Sequence, residues 1–315
     1  MDISIIVPNY NGEHLLEANI PKIIEAVSEY KKGDVEIIIP DDASADRSVS
    51  VIHALINKNK HKHVSIRYVE NKKNKGFSGN VNSGVKLATG EILVLLNTDV
   101  IPHKGFLEPL LVHFSDEKVF GVGCVDESIE GDSVVMRGRG LGAWKRGFLV
   151  HRAGDVSKTN TLWVSGGSSA FRKSIWDRIG GLNELYNPFY WEDIDLSYRA
   201  QKAGYTVLLE PKSQVIHEHS KGAIKTSQKP FRIRKIAFRN QFFFVWLNIT
   251  DPFLILTHIF WVPAYIVKTL AAGDSAFLYG FLEALSKFPR VLQRRKRVSR
   301  LFVKSDREVI ANAHA

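Results

Sequence analysis

The stretch GEILVLLNTDV, residues 90–100, decides the fold. Ile92 to Leu96 form the continuous apolar run expected of a strand buried on both faces. The run ends at Asn97-Thr98-Asp99, where a carboxylate must be either solvated or coordinated. Toward the N-terminus the same rhythm repeats. ISIIVP is a second buried-strand run, followed by the turn NYNG and then EHLLEANIPKIIEAVSEY, whose apolar residues recur at helical spacing. VEIIIPDD is a further strand ending in acid, and SADRSVSVIHALINKN reads as a helix opened by a Ser44/Asp46 cap. HVSIRYVEN and GFSGNVNSGVKLAT complete the alternation. Strand and helix in this order predict an α/β fold, a mostly parallel sheet flanked by helices on both faces.

Polar residues collect where these strands end: Asn9-Tyr10-Asn11, Asp41-Asp42 and Asn97 to Asp99. In an open parallel sheet the carboxyl ends of the strands form the ligand crevice. Beyond residue 100 the pattern loosens. VFGVGCVDE, the glycine-rich RGRGLGAWKRGF and TLWVSGGSSAFRKSIWDRIGG predict a mixed sheet with loops, and no internal repeat or low-complexity linker is visible.

The chain has 315 residues, 44% of them hydrophobic, enough for a substantial core. Its single cysteine, Cys124, excludes a disulfide framework within the chain and fits a reducing compartment such as the cytosol. The opening MDISIIVPNYNG lacks the basic n-region of a secretory leader. The formal net charge of +10 is unevenly placed: residues 221–315 hold 17 Lys and Arg against 5 Asp and Glu, leaving 26 against 28 in residues 1–220. This predicts a near-neutral domain over residues 1–225 and a basic, apolar helical region over 226–315. In that region FRIRKIAFR and QRRKR bracket FFFVWLNITDPFLILTHIFWVPAYIV. Cationic flanks around an apolar face suit a membrane surface. Asp251, Pro252, His258, Pro263 and Lys268 interrupt the ~20 apolar residues that spanning needs. A helical cap or a homodimer interface would use the same apolar face. The aromatic residues lie inside apolar runs, so no nucleic acid is expected as a partner.

Several residues could carry chemistry. A divalent cation bound to a diphosphate needs only one or two protein carboxylates, which Asp99 could supply, with Asn97 supporting the sugar or the coordination shell. An ordinary Asx turn would use the same tripeptide. Of the pair Asp41-Asp42, one acid can serve the following helix start, and a second asks for a base or ribose contact. NKGFSGNVNSG allows close backbone approach to a ligand but lacks the Gly-Lys-Ser/Thr of a P-loop. In NPFYWEDIDLSYRAQKAGY, Glu192, Asp193 and Asp195 occupy the first turn of a helix, where the macrodipole stabilises carboxylates. Their aromatic approach through Trp191 would raise a neighbouring carboxyl's proton affinity, as a general base requires. His217, after another strand-like run, is a metal ligand or a structural histidine, with His219 a weaker candidate.

Taken together, IIVPNYNG, IIIPDDAS, NKGFSGNVNSG, GEILVLLNTDV, VSGGSSAFRKSIW and FYWEDIDLSYRAQKAGY resemble glycosyltransferase family 2, nearest to its bacterial, rhamnosyltransferase-like branch, over residues 1 to about 220. The resemblance implies a GT-A fold and an inverting hexosyl transfer from a nucleotide-diphospho-sugar to a growing, lipid-linked surface polysaccharide or O-antigen-type glycan. It places Pro8, Asn9, Tyr10, Asn11, Asp41 and Asp42 around the base and ribose, with Gly76, Phe77 and Asn97 lining the nucleotide site. Asp99, with His217, would hold Mg2+ or Mn2+, and Asp193 would be the general base. Gly166, Gly167, Trp191 and Glu192 would lie under the donor sugar or acceptor. The chain departs from the family's pattern in having Asn97 where the first Asp of Asp-x-Asp is usual, and Pro40 before the acidic pair. Such an enzyme would sit peripherally on the cytoplasmic face of the cell membrane. The competing readings are a non-catalytic nucleotide-sugar-binding or membrane scaffold on the same fold, and a nucleotidyltransferase.

Overall fold

The computed structural model describes residues 1–131, 133–218 and 229–314; His219 lies outside the described residues. The N-terminal half alternates as expected: β1 (Ile3–Ile6), α1 (Glu13–Val27), β2 (Val35–Asp41), α2 (Ser48–Lys58), β3 (Val64–Glu70), α3 (Gly76–Val85) and β4 (Ile92–Leu96). Then follow β5 (Val100–Pro102), α4 (Leu107–Val112), β6 (Val119–Glu130), β7 (Ser133–Arg137) and the hairpin β8 (Gly140–Lys145) and β9 (Phe148–Ala153). β10 (Ser168–Arg172), α5 (Lys173–Ile179), α6 (Glu192–Lys202) and β11 (Thr206–His217) complete the body.

The main sheet has the order β3-β2-β1-β4-β10-β6-β11-β5, with β7 on β6. The first four of these strands are parallel, β10 runs antiparallel between β4 and β6, and β11 returns parallel to β6. Period-two alternation explains why the central strands read as unbroken apolar runs. Ile5, Ile37 and Val94 enter one core under α1, α2 and α4, whereas Ile6, Ile38, Leu93 and Leu95 enter a second core with α3, α5 and α6. Cys124 is buried in β6 and burial pushes its thiol up to about 12.

Five further helices lie within the basic segment: α7 (Pro230–Asn248), α8 (Pro252–Ala271), α9 (Ala276–Ser286), α10 (Phe288–Val298) and α11 (Asp306–Asn312). They share a third core with the sheet body, in which Phe242, Phe243 and Phe244 pack with Phe148, Tyr186, Trp191 and Tyr198. The charge step near residue 220 therefore marks a change of surface, while the packing continues across it. A buried ion pair, Lys202 Nζ to Asp306 Oδ1 at 2.9 Å, ties α6 to α11.

The Ser44/Asp46 cap is only half realised. Helix α2 begins later, at Ser48, whose N–H donates to Asp46. The Ser44 hydroxyl instead donates to Asp41 at 2.6 Å.

Candidate active site

The sheet topology brings the polar strand ends together. β1 and β2 stay paired through Asn9 and Asp41, and β4 turns sharply at Asn97, where the Val100 N–H donates to the Asn97 carbonyl at 3.0 Å. The Asn19 side chain holds that turn by donating to the Thr98 carbonyl at 2.8 Å. Because β5 pairs with β11 in the register His217 to Val100, His217 arrives beside Asp99.

His217 Nε2 lies 3.4 Å from Asp99 Oδ2, and Nδ1 lies 2.8 Å from Asp126 Oδ2. Burial opposes charge on this imidazole, but its hydrogen bonds to Asp126 and Asp99 outweigh burial and push its pKa up to about 9. Asp126 was not singled out from the sequence; in VGCVDE it reads as the frayed end of a strand. Its role is to fix the ring so that Nε2 faces Asp99. Among the described residues no group of three or more His, Cys, Asp and Glu could hold an ion alone. The fit is to a cation that brings most of its own oxygen ligands, as one bound to a diphosphate does: Asp99 supplies a carboxylate, and His217, 3.4 Å away, would join it as a ligand only on giving up its Nε2 proton.

Asp193 sits in the first turn of α6, half-buried. A Cβ built on Gly166 would lie 3.5 Å from Asp193 Cβ and 3.4 Å from Phe77 Cε1, so these three residues form one wall. A Cβ on Gly167 would lie 2.4 Å from Asn97 Nδ2, a distance no side chain tolerates, which explains the second glycine. The Asn97 N–H donates to the Gly167 carbonyl at 3.0 Å, and Asn97 Oδ1 is buried without a partner, an acceptor oxygen left over within the site. Burial raises the Asp193 carboxyl's pKa above its usual range despite backbone hydrogen bonds that lower it. Glu192 next to it is buried, and burial together with the Asp193 charge raises its pKa to about 8. Trp191 is buried and precedes the helix in a left-handed conformation (φ 76°), which directs the chain sharply into α6.

Around the nucleotide side, Tyr10 is 50% exposed at the rim and Pro8 is half-buried. The acids behind them are spent on the chain itself. Asp41 accepts from Asn9 Nδ2 at 2.7 Å and from Ser44. Asp42 accepts from the N–H groups of Lys75 and Gly76 at 2.8 and 2.9 Å and from Asn71 Nδ2. The glycine-rich loop thus has amides committed to Asp42, and its Gly76 (φ 69°) allows Asn187 to lie against it. Asn11, also left-handed (φ 50°), donates its N–H to Ser44. Asn80 joins this lattice by donating to the carbonyls of Asn9 and Pro40. Asn71, Asn80 and Asn187 carry no sequence signal beyond being asparagines near turns.

The glycine pair thus lies between the half-buried Asp193 carboxyl and the Asn97 turn at the end of β4. A family model described as Glycosyl transferase family 2 matches residues 4–180. The chain belongs to glycosyltransferase family 2. Among the relatives of this family 2 protein is a pre-mycofactocin glycosyltransferase of Mycobacterium tuberculosis, 27% identical over 69% of this chain and 43% of the relative. Another is the GalNAc(5)-diNAcBac-PP-undecaprenol beta-1,3-glucosyltransferase of Campylobacter jejuni, 30% identical over 58% of this chain and 56% of the relative. The chain therefore spans about half the length of these curated relatives. Solved structures share the fold. Staphylococcus aureus TarS 1–349 in complex with UDP-GlcNAc superposes with TM-score 0.60 at 14% identity, covering 100% of this chain and 89% of that one. GalNAc-T7 with UDP, GalNAc and Mn2+ gives 0.63 at 16% identity, covering 80% and 48%. The family 2 chain accordingly has the GT-A fold expected from its motifs, including the antiparallel β10 that the loosened pattern after residue 100 left unresolved.

Proposed function

We propose that this family 2 protein transfers a sugar, with inversion, from a nucleotide-diphospho-sugar to a hydroxyl of a lipid-linked glycan. The observation that carries the reading is the packing of Asp193 against Gly166 and Phe77, with the next residue, Gly167, accepting at its carbonyl from the N–H of Asn97, two residues before Asp99. Inversion needs a base on one face of the anomeric carbon and a leaving group on the other. The raised proton affinity of Asp193 suits it to take the proton of the acceptor hydroxyl as the hydroxyl oxygen attacks the anomeric carbon. The bond from that carbon to the phosphate oxygen breaks and a nucleoside diphosphate leaves. Asp99, with His217 once its Nε2 proton is lost, would hold Mg2+ or Mn2+, which would supply positive charge to the departing diphosphate. Asn97 presents its unpaired Oδ1 to the site, and Tyr10 offers a face for the base at the rim.

The acceptor side rests on α8. Phe253, Leu256, Ile259, Phe260, Val267 and Leu270 are all exposed at helical spacing, and this is, among the described residues, the one helix long and apolar enough to cross a membrane. With the basic segment around it, this face supports peripheral attachment to the cytoplasmic face of a bacterial membrane, where a lipid-linked glycan would be presented. The Campylobacter relative, whose name specifies an undecaprenol-linked substrate, supports the same reading.

The test is a panel of nucleotide-sugars, dTDP-rhamnose and UDP-hexoses among them, assayed with Mn2+ for nucleoside diphosphate release. Release should stop on chelation with EDTA. Asp193→Asn should lower turnover by roughly 10²–10⁴-fold while the thermal shift caused by the donor is kept. Near-normal turnover in folded Asp193→Asn would remove the base, and release of inorganic diphosphate would mark nucleotidyl transfer instead.

A further inference from the structure

Well away in sequence from the strand-end residues, a shallow cleft opens between the end of α5 and α10. Its lining includes Arg178, Arg199, Arg294 and Arg297, together with Asn183, and contains no carboxylate. A second cleft shares Arg178, Ile179 and Leu301 with it and adds Arg300. No lining residue belongs to the crevice assigned above.

The arginines are not equivalent. Arg199 is buried and fully committed: its Nε donates to Asp195 at 2.7 Å and its two NH2 groups to the carbonyls of Ile179 and Gly181. The Ile179 carbonyl is the last of α5, so Arg199 satisfies an acceptor that the helix end leaves over. Arg178, Arg294, Arg297 and Arg300 have no hydrogen-bond or ion-pair partner among the described residues. Their positions follow from sequence. On α10, Val291 is fully buried and Arg295 donates to the Trp246 carbonyl, so that face is spent on packing. Arg294, Arg297, Val298 and Leu301 then recur at helical spacing on the neighbouring face and line the cleft. Asn183 uses its carbonyl oxygen to accept from the Leu185 N–H, which leaves its amide NH2 as a further donor at the wall.

Three guanidinium groups without a protein partner thus line one concave wall that carries no carboxylate, Arg294 half-buried and Arg178 and Arg297 exposed. Guanidinium forks match phosphate oxygens in pairs. We propose that this cleft is a phosphate-binding site separate from the donor crevice, taking either a free phosphate or diphosphate group or the phosphate of an anionic lipid headgroup. The proposal does not depend on the sugar-transfer chemistry, because neither α5 nor α10 supplies a residue to the donor crevice.

The experiment is calorimetric titration of the full chain in EDTA, which removes metal-held diphosphate binding from the donor crevice. The probes are inorganic pyrophosphate and monomeric dihexanoyl phosphatidylglycerol. The wild type should bind at least one of them, and Arg178→Gln/Arg294→Gln/Arg297→Gln should weaken that binding by about tenfold or more with the thermal midpoint unchanged. A preference for pyrophosphate identifies free phosphate as the source; a preference for the lipid identifies the headgroup. If the triple variant fails to fold, the exposed Arg297→Glu alone should still weaken binding severalfold. Absence of binding to both probes in the wild type, or unchanged affinity in the folded variants, overturns the site.

Discussion

Glu192 is buried beside Asp193 with its Oε2 lacking a hydrogen-bond partner, so burial and its neighbour's charge act on it almost unopposed. Its proton affinity rises from the ordinary 4.5 to about 8 in the folded chain. Folding therefore favours the protonated acid. Below pH 4.5 the group is neutral in both states and costs nothing; from there up to about 8 the unfolded chain ionises first and stability is progressively lost. Glu192→Gln should accordingly raise the thermal midpoint relative to wild type, by more at pH 8 than at pH 5, and equal gains at both pH values would refute the buried-acid account. The carboxylates themselves were legible as strand-end and helix-start acids. Asp126 was not, because what it does depends on His217, which reaches it only through the pairing of β11 with β6.

At the scale of elements, the alternation of β1 to β4 with α1 to α3 could be read directly, since burial on both faces writes an unbroken apolar run into each central strand. The antiparallel insertion of β10 could not, because SSAFR carries the same composition whichever way it runs. Helix α8 is legible in a different sense: Leu254, His258 and Val262 face inward while Leu256 and Phe260 are 64% and 73% exposed. Leu256→Asp/Phe260→Asp should leave folding intact, because neither side chain is buried. The same pair should release the protein from sedimenting vesicles that contain anionic lipid. Retention on the vesicles would transfer the membrane contact to the basic residues alone. The loop before α6 shows how elements from the two halves cooperate. Asn240 on α7 donates to the carbonyls of Tyr186, Phe189 and Tyr190, so a helix from the basic segment positions the approach to Asp193.

For the molecule as a whole, the basic segment and the sheet body fold as one unit. Asp306 on α11 accepts from Lys202 and Tyr198 of α6 and from the N–H groups of Thr250 and Asp251 between α7 and α8. Both charges of the Lys202–Asp306 pair are fully buried, so removing one leaves the other uncompensated. Asp306→Ala should cost about 3–5 kcal/mol in denaturant unfolding, and a loss under 1 kcal/mol would show that water reaches Lys202. Composition placed the seam at the charge step and could not reveal this coupling, because it is made by single buried polar residues about a hundred positions apart in the chain, with no spacing pattern to connect them. The buried cysteine has a practical corollary. Cys124 is the chain's single thiol, enclosed in β6 and held protonated far above neutral pH, so alkylating reagents will pass it by. A thiol introduced by Phe260→Cys or Leu270→Cys would be uniquely labelled in an otherwise native background, and a fluorophore attached there would report whether α8 enters lipid at all.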